Sequence, residues 1–364
     1  MKPDTLPALL DHWAGQCPDK VWLKDLLPEG SRDVTWGEAA ATVNAMAAML
    51  EHQFGHGERM ALLSRNCAHW FLADLAIIRS GNITVSMFTT LPGSTAQYIL
   101  DFTEARVLFV GETSNWQAVR EVLPEGITLI TLPGVELDEP HLQWETLLAE
   151  WQGKSPAYEC QPDDVMSLVF TSGTTGLPKG VIQTHSSNLI PINRFRAAFG
   201  TRDEARYFSY LPLSHIAERQ IVEFSSMVCC GEVSFNQSLE TLAADLQRTR
   251  PHMFFGPPRV WEQLKQAVTA KFGGNDALEA ALAQDQEGIG RMILEGLGLD
   301  QVEYCLVAAA PTPPALIHWW DRLGLTLMEG FGQTEAMGVI VCGQDSRRIG
   351  SIGKPIGEVE YRIT

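Results

Sequence analysis

VMSLVFTSGTTGLPKGVIQTH, residues 165–185, is the stretch around which the rest of this sequence is organised. An apolar run of strand character passes directly into a segment rich in Gly, Ser and Thr that contains one lysine, Lys179. Small residues let backbone N–H groups approach a phosphate closely, hydroxyls add donors, and a lysine adds positive charge. A solvated surface loop has the same composition. These residues alone therefore support an anion-binding loop and a plain loop equally.

Strand-like and helix-like patterns alternate on both sides of this stretch. A capping-box sequence at 35–38 precedes a helical run of apolar residues, and MALLS at 60–64 has strand character. Further strand-like runs follow the glycine-rich segment, among them RYFSYL, GEVSF, HMFFG and LTLMEG. This alternation predicts an α/β fold in which two alternating α/β subdomains contain mainly parallel sheets. We expect the first lobe at 1–160, the second at 161–335 and the start of a small β subdomain at 336–364.

The composition is that of an ordinary globular protein with an acidic surface. Of 364 residues, 45% are hydrophobic and 20% are charged, and the net charge at pH 7 is −17. A nucleic-acid surface requires an excess of Lys and Arg, so this charge argues against nucleic acid and against electrostatic docking on anionic lipid. The N-terminus lacks the apolar run of a signal peptide, and no run reaches the ~18 apolar residues of a spanning helix. Seven scattered cysteines without C-x-x-C spacing indicate reduced thiols and a cytoplasmic location.

Several familiar chemical motifs are absent from the sequence. The glycine-rich segment does not match a P-loop of the form G-x-x-x-x-G-K-[ST]. Counting from Gly173, Pro178 occupies the position of the second glycine, and Lys179 is followed by Gly180 instead of Ser or Thr. This spacing excludes a P-loop kinase. No G-x-S-x-G nucleophile elbow accompanies His215, so a hydrolase is not indicated. Neither an H-E-x-x-H motif nor a Cys/His cluster suggests zinc.

Five segments resemble, in order, the signature motifs of adenylate-forming enzymes, which include acyl-CoA synthetases, luciferases and peptide-synthetase adenylation domains. They are TSGTTGLPKGV (171–181), SYLPLSH (209–215), AAAP (308–311), EGFGQTE (329–335) and GSIGKP (350–355). Three further stretches, SYLPLSHIAER, FFGPPRVWEQL and LGLDQV, look like the long-chain and bubblegum-type acyl-CoA synthetase branch. The resemblance covers essentially the whole chain.

The resemblance implies a two-step reaction on a medium- or long-chain fatty acid. The carboxylate attacks the α-phosphorus of ATP to give acyl-AMP and pyrophosphate, and the thiol of coenzyme A then displaces AMP. ATP, Mg²⁺ and coenzyme A are thus the implied cofactors and co-substrates. Joining two anions around a crowded phosphate requires charge neutralisation and in-line positioning more than acid–base chemistry.

The resemblance also assigns the glycine-rich loop to the β- and γ-phosphates of ATP. Lys179 adds positive charge there and is a candidate catalytic residue. The loop residues that would wrap the phosphates are Thr171, Ser172, Gly173, Thr174, Thr175 and Gly176.

The remaining nucleotide contacts are implied at two motifs. Thr334 would hydrogen-bond the α-phosphate, and Glu335 would hold Mg²⁺, since a hard cation prefers carboxylate oxygen. An alternative interpretation of Thr334 is a helix N-cap, and an alternative for Phe331 is an ordinary core aromatic. Phe331 occupies a position where the family usually has tyrosine, so it lacks the hydroxyl and keeps only the stacking face of the ring. The adenine site would be formed by Gly330, Phe331, Gly332, Gln333, Ala309, Ala310 and Pro311.

His215 follows a predicted strand, and in the family this histidine lies near the carboxylate and the thiol entry. A general base and a structural or gating histidine are both open interpretations. For His185 we expect only a structural role. The acyl tunnel is expected to be apolar and to run past Gly332 and the residues that follow Glu335.

Family members continue beyond the last residue of this chain with a T-G-D segment, a hinge and a small C-terminal domain that carries a lysine. None of these occurs here, so the sequence is expected to be the large N-terminal domain alone, with little ligase activity by itself. The C-terminal domain is then an implied partner. A carrier-protein thiol as acceptor, and a non-catalytic nucleotide- or acyl-binding module, remain alternatives. A long-chain substrate is compatible with peripheral membrane contact, although no amphipathic anchor stands out.

Overall fold

The computed structural model describes residues 3–171, 176–343, 347–357, 359, 360 and 362. Most of the strands are short and buried, as expected for sheets covered by helices on their faces. The strands are β1 (Val21–Leu26), β2 (Ser31–Thr35), β3 (Arg59–Ser64), β4 (Ile83–Met87), β5 (Val107–Gly111), β6 (Thr128–Thr131), β7 (Leu142–Gln143), β8 (Val165–Thr171), β9 (Lys179–Thr184), β10 (Arg206–Ser209), β11 (Glu232–Phe235), β12 (Met253–Gly256), β13 (Tyr304–Val307), β14 (Leu327–Gln333), β15 (Gly338–Cys342) and β16 (Lys354–Pro355).

Helices connect most of these strands. A π-helix, Arg219–Phe224, lies between two short α-helices, and a 3₁₀ turn, Thr334–Ala336, follows β14. The α-helices are α1 (Leu6–Gln16), α2 (Trp36–Phe54), α3 (Ala68–Arg79), α4 (Gly93–Thr103), α5 (Trp116–Arg120), α6 (Trp144–Trp151), α7 (His185–Phe199), α8 (Ile216–Glu218), α9 (Ser225–Val228), α10 (Leu242–Thr249), α11 (Pro258–Lys271), α12 (Asn275–Gln284), α13 (Gln286–Leu297) and α14 (Pro314–Arg322).

The predicted capping box illustrates how the sequence specifies these helices. The side chain of Thr35 accepts a hydrogen bond from the backbone N–H of Glu38, and the side chain of Glu38 accepts one from the N–H of Thr35. The apolar residues Val43, Met46 and Leu50 are then buried on the inner face of α2. Among the described residues no helix combines the length and the apolar character that a membrane crossing requires.

The strands form two sheets, and both are mainly parallel. The seven-stranded sheet has the order β7-β6-β5-β3-β4-β8-β9, and within it only β8 and β9 pair antiparallel. The nine-stranded sheet has the order β16-β15-β14-β13-β12-β10-β11-β1-β2, with antiparallel pairs at its two ends. The predicted α/β class is confirmed.

The division of the chain differs from the expected lobes at 1–160 and 161–335. The hairpin β1–β2 belongs to the nine-stranded sheet through β11, and β8 and β9 belong to the seven-stranded sheet through β4. The strands expected to start a separate β subdomain at 336–364 instead extend the nine-stranded sheet from β14. Sequence order could not show this, because a strand joins the sheet whose edge offers partners, whatever its place in the chain.

Candidate functional site

The predicted motifs lie at the carboxyl ends of parallel strands. SYLPLSH follows β10, AAAP follows β13, and EGFGQTE occupies the second half of β14 and the turn after it, all in the nine-stranded sheet. The glycine-rich loop follows β8 of the seven-stranded sheet. In open α/β sheets ligands bind outside the carboxyl ends of the strands, so this arrangement brings the motifs to the edges where a site forms.

Asn66 joins the carboxyl ends of the two sheets. It follows β3, and its side-chain amide donates to Ser209 Oγ at 2.9 Å and to the carbonyl of Leu211 at 2.6 Å. Its Oδ1 accepts from the backbone N–H of Leu213 at 3.3 Å. The segment that leads to His215 is therefore fixed against the sheet that carries the glycine-rich loop.

The glycine-rich segment connects two antiparallel strands. Thr171, at the end of β8, is the register partner of Lys179, the exposed first residue of β9. Gly176 is also exposed and has φ +90°, a conformation that favours glycine. The predicted residues at 172–175 lie outside the described residues. Geometrically the segment is a hairpin connection, with Lys179 at its base and open to a ligand.

The second half of β14 presents the predicted adenine-site residues. A β-bulge lies between Phe331 and Gly332, and Phe331 is 45% exposed, so the alternative of a core aromatic is wrong. Thr334 begins the 3₁₀ turn and is buried, whereas its neighbour Glu335 is exposed. The alternative of Thr334 as a helix N-cap is also wrong, because Gln333 holds that position and makes no side-chain cap.

The turn after β13 lies beside this segment. Val307 pairs with Glu329, so Ala309 and Phe331 each lie two residues beyond the same register pair. Ala309 has φ +72°, a left-handed conformation that costs an alanine about 1–2 kcal/mol. Ala310 and Pro311 are exposed beside it. Backbone strain of this kind is concentrated at ligand sites.

The predicted GSIGKP segment contacts both β14 and β15. The backbone N–H of Gly350 donates to Glu329 Oε2 at 2.8 Å, and the carbonyl of Glu329 accepts from Gly343 N at 3.0 Å. The segment then pairs with β15 through Lys354 and Pro355. The predicted GSIGKP motif therefore supports β14, although its own residues are not among the predicted nucleotide contacts.

His215 is positioned by its own helix. It is the N-cap of α8, and its Nδ1 accepts a hydrogen bond from the backbone N–H of Ala217 at 3.1 Å. Desolvation by neighbouring atoms lowers the pKa of His215 below its ordinary value, although the residue as a whole is exposed. Because Nδ1 accepts, the neutral ring carries its proton on Nε2. In that tautomer the Nε2–H group can donate a hydrogen bond to a ligand.

Glu218 lies one turn beyond His215 and is buried. Its carboxylate accepts from the backbone N–H of Tyr210 at 2.9 Å, and burial raises its pKa to about 8. Hydrogen bonds from Ser209 and the backbone of Leu211 oppose that rise. Glu218 therefore holds the strand end of β10 against the helix that His215 caps.

A small cavity of about 40 Å³, lined mainly by apolar side chains, lies behind β14 and β15. It reaches β15 at Val339, the register partner of Gly332. Two residues of the π-helix, Gln220 and Ile221, form another part of its wall. Its other lining residues are Pro191, Ile192, Phe195, Arg196, Thr201, Tyr207, Ser225, Met253 and Leu306.

Glu335 fits a Mg²⁺ ion that is held mainly by a nucleotide. Mg²⁺ usually keeps waters and takes only one or two protein carboxylates beside substrate phosphates. The exposed carboxylate of Glu335 can supply one such oxygen, and no group of three metal-binding side chains occurs within the part of the chain that the structure describes.

Sequence reasoning missed the residues that hold the motifs in place. Asn66 and Glu218 fix the segment before His215, and Arg219 and Gln220 are buried in the π-helix. A signal existed in SHIAERQ, since a Glu-Arg pair three residues after a motif histidine is unusual on a buried helix. The partners of these side chains are distant in sequence and could not be identified.

The family of this protein follows from comparison with known sequences. The chain belongs to the family described as AMP-binding enzyme, whose model matches residues 10–364. Long-chain-fatty-acid–CoA ligase FadD15 of Mycobacterium tuberculosis is 28% identical over 407 residues, covering 99% of this chain and 66% of the relative. Long-chain-fatty-acid–CoA ligase ACSBG2 of Xenopus laevis is 28% identical over 358 residues, covering 85% and 48%. The chain thus spans about half of one relative and about two thirds of the other.

Solved structures share the same architecture. The anthranilate CoA ligase AuaEII in complex with anthranoyl-AMP matches with a TM-score of 0.79 at 22% identity, over 97% of this chain and 64% of that one. The N-terminal domain of FACL13 from Mycobacterium tuberculosis matches with a TM-score of 0.75 at 20% identity, over 98% and 83%. At this identity the likeness establishes the fold.

Proposed function

We propose that this chain binds ATP and a medium- or long-chain fatty acid and serves as the large domain of an AMP-forming fatty acyl-CoA ligase. The observation that carries the proposal is the relation between the motif strands and the cavity. Val339 lines an apolar cavity and pairs with Gly332, between the exposed aromatic face of Phe331 and the turn at Thr334. The cavity measures about 40 Å³, so it would have to widen to admit an acyl chain, whose carboxylate would then lie near the predicted nucleotide contacts.

In the first step a fatty-acid carboxylate oxygen forms a bond to the α-phosphorus of ATP, and the bond to the bridging oxygen of pyrophosphate breaks. Lys179 neutralises phosphate charge and Thr334 orients the α-phosphate. Glu335 would hold Mg²⁺, which would supply positive charge against the phosphates. His215 donates from Nε2 toward the carboxylate and keeps it aligned. These roles require two small ligands, a nucleotide and a fatty acid.

In the second step the sulfur of coenzyme A attacks the acyl carbon and AMP leaves. The named long-chain ligases among the relatives support this acceptor and a fatty-acid substrate. They span more sequence than this chain, so thioester formation by the whole protein is part of the proposal. A carrier-protein thiol as acceptor would be recognised by turnover that does not depend on coenzyme A.

The test is the thermal stability of the chain with Mg²⁺–ATP and with non-hydrolysable acyl-adenylate analogues of graded chain length. A ligand that binds only the folded state stabilises it by ~2.7 kcal/mol at a hundredfold excess over Kd. We expect a stabilisation that reaches its maximum at one acyl length and falls in Lys179→Gln. Lys271→Gln, which removes the same charge from the last turn of α11, is the matched control. Absence of stabilisation by every nucleotide would contradict the proposal.

A further inference from the structure

Two cysteine thiols from distant parts of the chain lie in contact. Cys17 Sγ and Cys230 Sγ are 3.4 Å apart, although 213 residues separate them in sequence. All seven cysteines belong to the part of the chain that the structure describes, and all are free thiols. The sulfurs of a disulfide are about 2.05 Å apart, so these two would have to approach by about 1.4 Å to become bonded.

Two tryptophan side chains hold the segments that carry these thiols against each other. One thiol belongs to the C-cap residue of α1, and the other lies in the turn between α9 and β11. Trp13 Nε1 donates to the carbonyl of Met227 at 2.6 Å, and Trp22 Nε1 donates to Ser226 Oγ at 3.1 Å. Because these hydrogen bonds flank the pair, the two sulfurs stay together in the folded chain, and a bond between them requires little movement of the backbone.

The two thiols differ in their exposure to solvent. Cys17 is partly exposed, whereas Cys230 is buried. Burial raises the pKa of Cys230 to about 12, and the nearby ammonium group of Lys20 opposes that rise. Lys20 is held by Glu204 Oε1 at 2.7 Å, and its backbone N–H donates to the carbonyl of Cys17 at 3.1 Å. Cys17 is therefore the thiol that meets a dissolved reagent, and Lys20 is placed to stabilise negative charge that develops on the sulfur of Cys230.

The thiol pair lies at the opposite edge of the nine-stranded sheet from the predicted nucleotide contacts. Cys17 precedes β1 and Cys230 precedes β11, and these two strands are parallel neighbours. The motifs of the same sheet instead follow the carboxyl ends of their strands. Chemistry at the thiol pair is therefore separate from the proposed ligase reaction.

We propose that Cys17 and Cys230 are a modification site, a dithiol that a peroxide oxidises to a disulfide. In the first step the thiolate of Cys17 attacks one oxygen of hydrogen peroxide, and the O–O bond breaks. Cys17 becomes a sulfenic acid, and the hydroxide ion that leaves combines with the proton that Cys17 released.

In the second step the sulfur of Cys230 attacks the sulfenic sulfur of Cys17, and the S–O bond breaks. The thiol proton of Cys230 leaves with the hydroxyl group as water. Over both steps the two thiols lose two electrons and one peroxide is reduced to two water molecules. The resulting disulfide joins the segment before β1 to the segment before β11.

The test is to treat the reduced chain with an equimolar amount of hydrogen peroxide and to map disulfide-linked peptides by mass spectrometry. We expect one pair of peptides joined through Cys17 and Cys230 within a monomer, and recovery of both thiols with dithiothreitol. Cys17→Ser should abolish the linked pair. Cys160→Ser is the matched control and should leave the linked pair unchanged, since Cys160 is also partly exposed but its sulfur contacts the carbonyl of Ile78 at 3.4 Å.

Further variants test the order of the two steps. Cys230→Ser should leave the sulfenic acid on Cys17, where a cyclic 1,3-diketone probe labels it. Lys20→Gln should slow disulfide formation by about two- to fivefold, because the charge near Cys230 is lost. Lys24→Gln is the matched control, since it removes the same charge from another exposed pair, with Glu232 at 2.8 Å.

The thermal melting of the oxidised chain gives an independent readout. A cross-link that spans 213 residues restricts the unfolded chain, so the disulfide should raise the melting temperature by about 5 °C. Dithiothreitol should reverse this rise, and Cys17→Ser should not show it. The inference is overturned if Cys17 and Cys230 stay reduced while other thiols are oxidised, or if the linked peptides occur only between two chains.

Discussion

Gly332 and Gly338 approach each other so closely across the β14–β15 hairpin that a Cβ atom on Gly332 would overlap the carbonyl of Gly338. The approach occurs beside the β-bulge between Phe331 and Gly332. The two strands therefore leave no room for a side chain at Gly332, between the exposed ring of Phe331 and the turn at Thr334. A side chain at Gly332 would have to move the strand that carries Phe331.

Gly332→Ala is expected to destabilise the chain by about 1–3 kcal/mol, because backbone rather than a flexible side chain must give way. Urea unfolding measures the change. Gly330→Ala is the control on the same strand, since the nearest atom to its Cβ would be the Val341 carbonyl oxygen at 3.4 Å. Equal losses in the two variants would contradict the proposed clash.

Ala309→Gly is expected to stabilise the chain by about 1 kcal/mol, because glycine adopts the observed φ of +72° without steric cost. Ala310→Gly, one residue further along, should instead destabilise by about 0.4–1 kcal/mol through the greater freedom of the unfolded chain. Thermal unfolding of both variants gives the comparison. A loss of stability in Ala309→Gly would show that the alanine is not strained.

Arg219→Met is expected to lower the free energy of unfolding by about 3–5 kcal/mol, because the buried carboxyl groups of Asp74 and Glu223 lose the cation that they share. Burial already raises the pKa of Glu223 well above its ordinary value, and Arg219 opposes that rise. A carboxyl group whose pKa is higher in the folded chain than in the unfolded chain stabilises the fold at pH values below its unfolded-state pKa. That contribution is lost as the pH rises towards the folded-state pKa. The loss in Arg219→Met should therefore be smaller at pH 5 than at pH 8 in urea unfolding. Equal losses would exclude this cause.

Glu218 should make stability fall as pH rises. Its pKa is about 8 in the folded chain against an ordinary value of 4.5, so its contribution is complete below pH 4.5 and lost by about pH 8. Within that window the slope approaches about 1.4 kcal/mol per pH unit. Glu218→Gln removes this titration. The stability difference between the two proteins, measured by urea unfolding from pH 5 to pH 8, should change in favour of the variant as pH rises.

His215→Asn should separate the capping role of this residue from its role at the ligand. Asparagine can cap α8 as His215 does, so stability should stay within about 0.5 kcal/mol, whereas His215→Ala should lose about 1 kcal/mol. If Nε2 donates to the ligand, both variants weaken binding of an acyl-adenylate analogue, measured by titration. Unchanged binding in both would leave His215 with the capping role only.

The sequence predicted the elements that are marked by local chemistry. The capping box at Thr35, the apolar strand β3 and the position of His215 after β10 are confirmed. Each depends on residues that are adjacent or one helical turn apart. Five ordered motifs also indicated the family, which the family model confirms.

The sequence did not predict relationships that depend on distant partners. Nothing near Asn66 indicates that it binds the carbonyl of Leu211, and nothing near Ser167 indicates Arg219. The sheet to which β1 belongs was also missed, because its register partners begin at Val233. Pairing across such separations is set by the edges that the rest of the fold leaves available.

The β1–β2 hairpin belongs to the nine-stranded sheet and the β8–β9 hairpin to the seven-stranded sheet, and this arrangement affects how the chain folds during synthesis. β1 cannot find its parallel neighbour until the residues around Val233 have been made, and β4 cannot pair with β8 before Ser167 has been made. Contacts between such distant residues fold slowly, and unpaired edges invite association with other chains. The β1–β2 hairpin must therefore remain without its parallel partner until the chain has been translated beyond Val233, and its unpaired edge is open to association with other chains during that time.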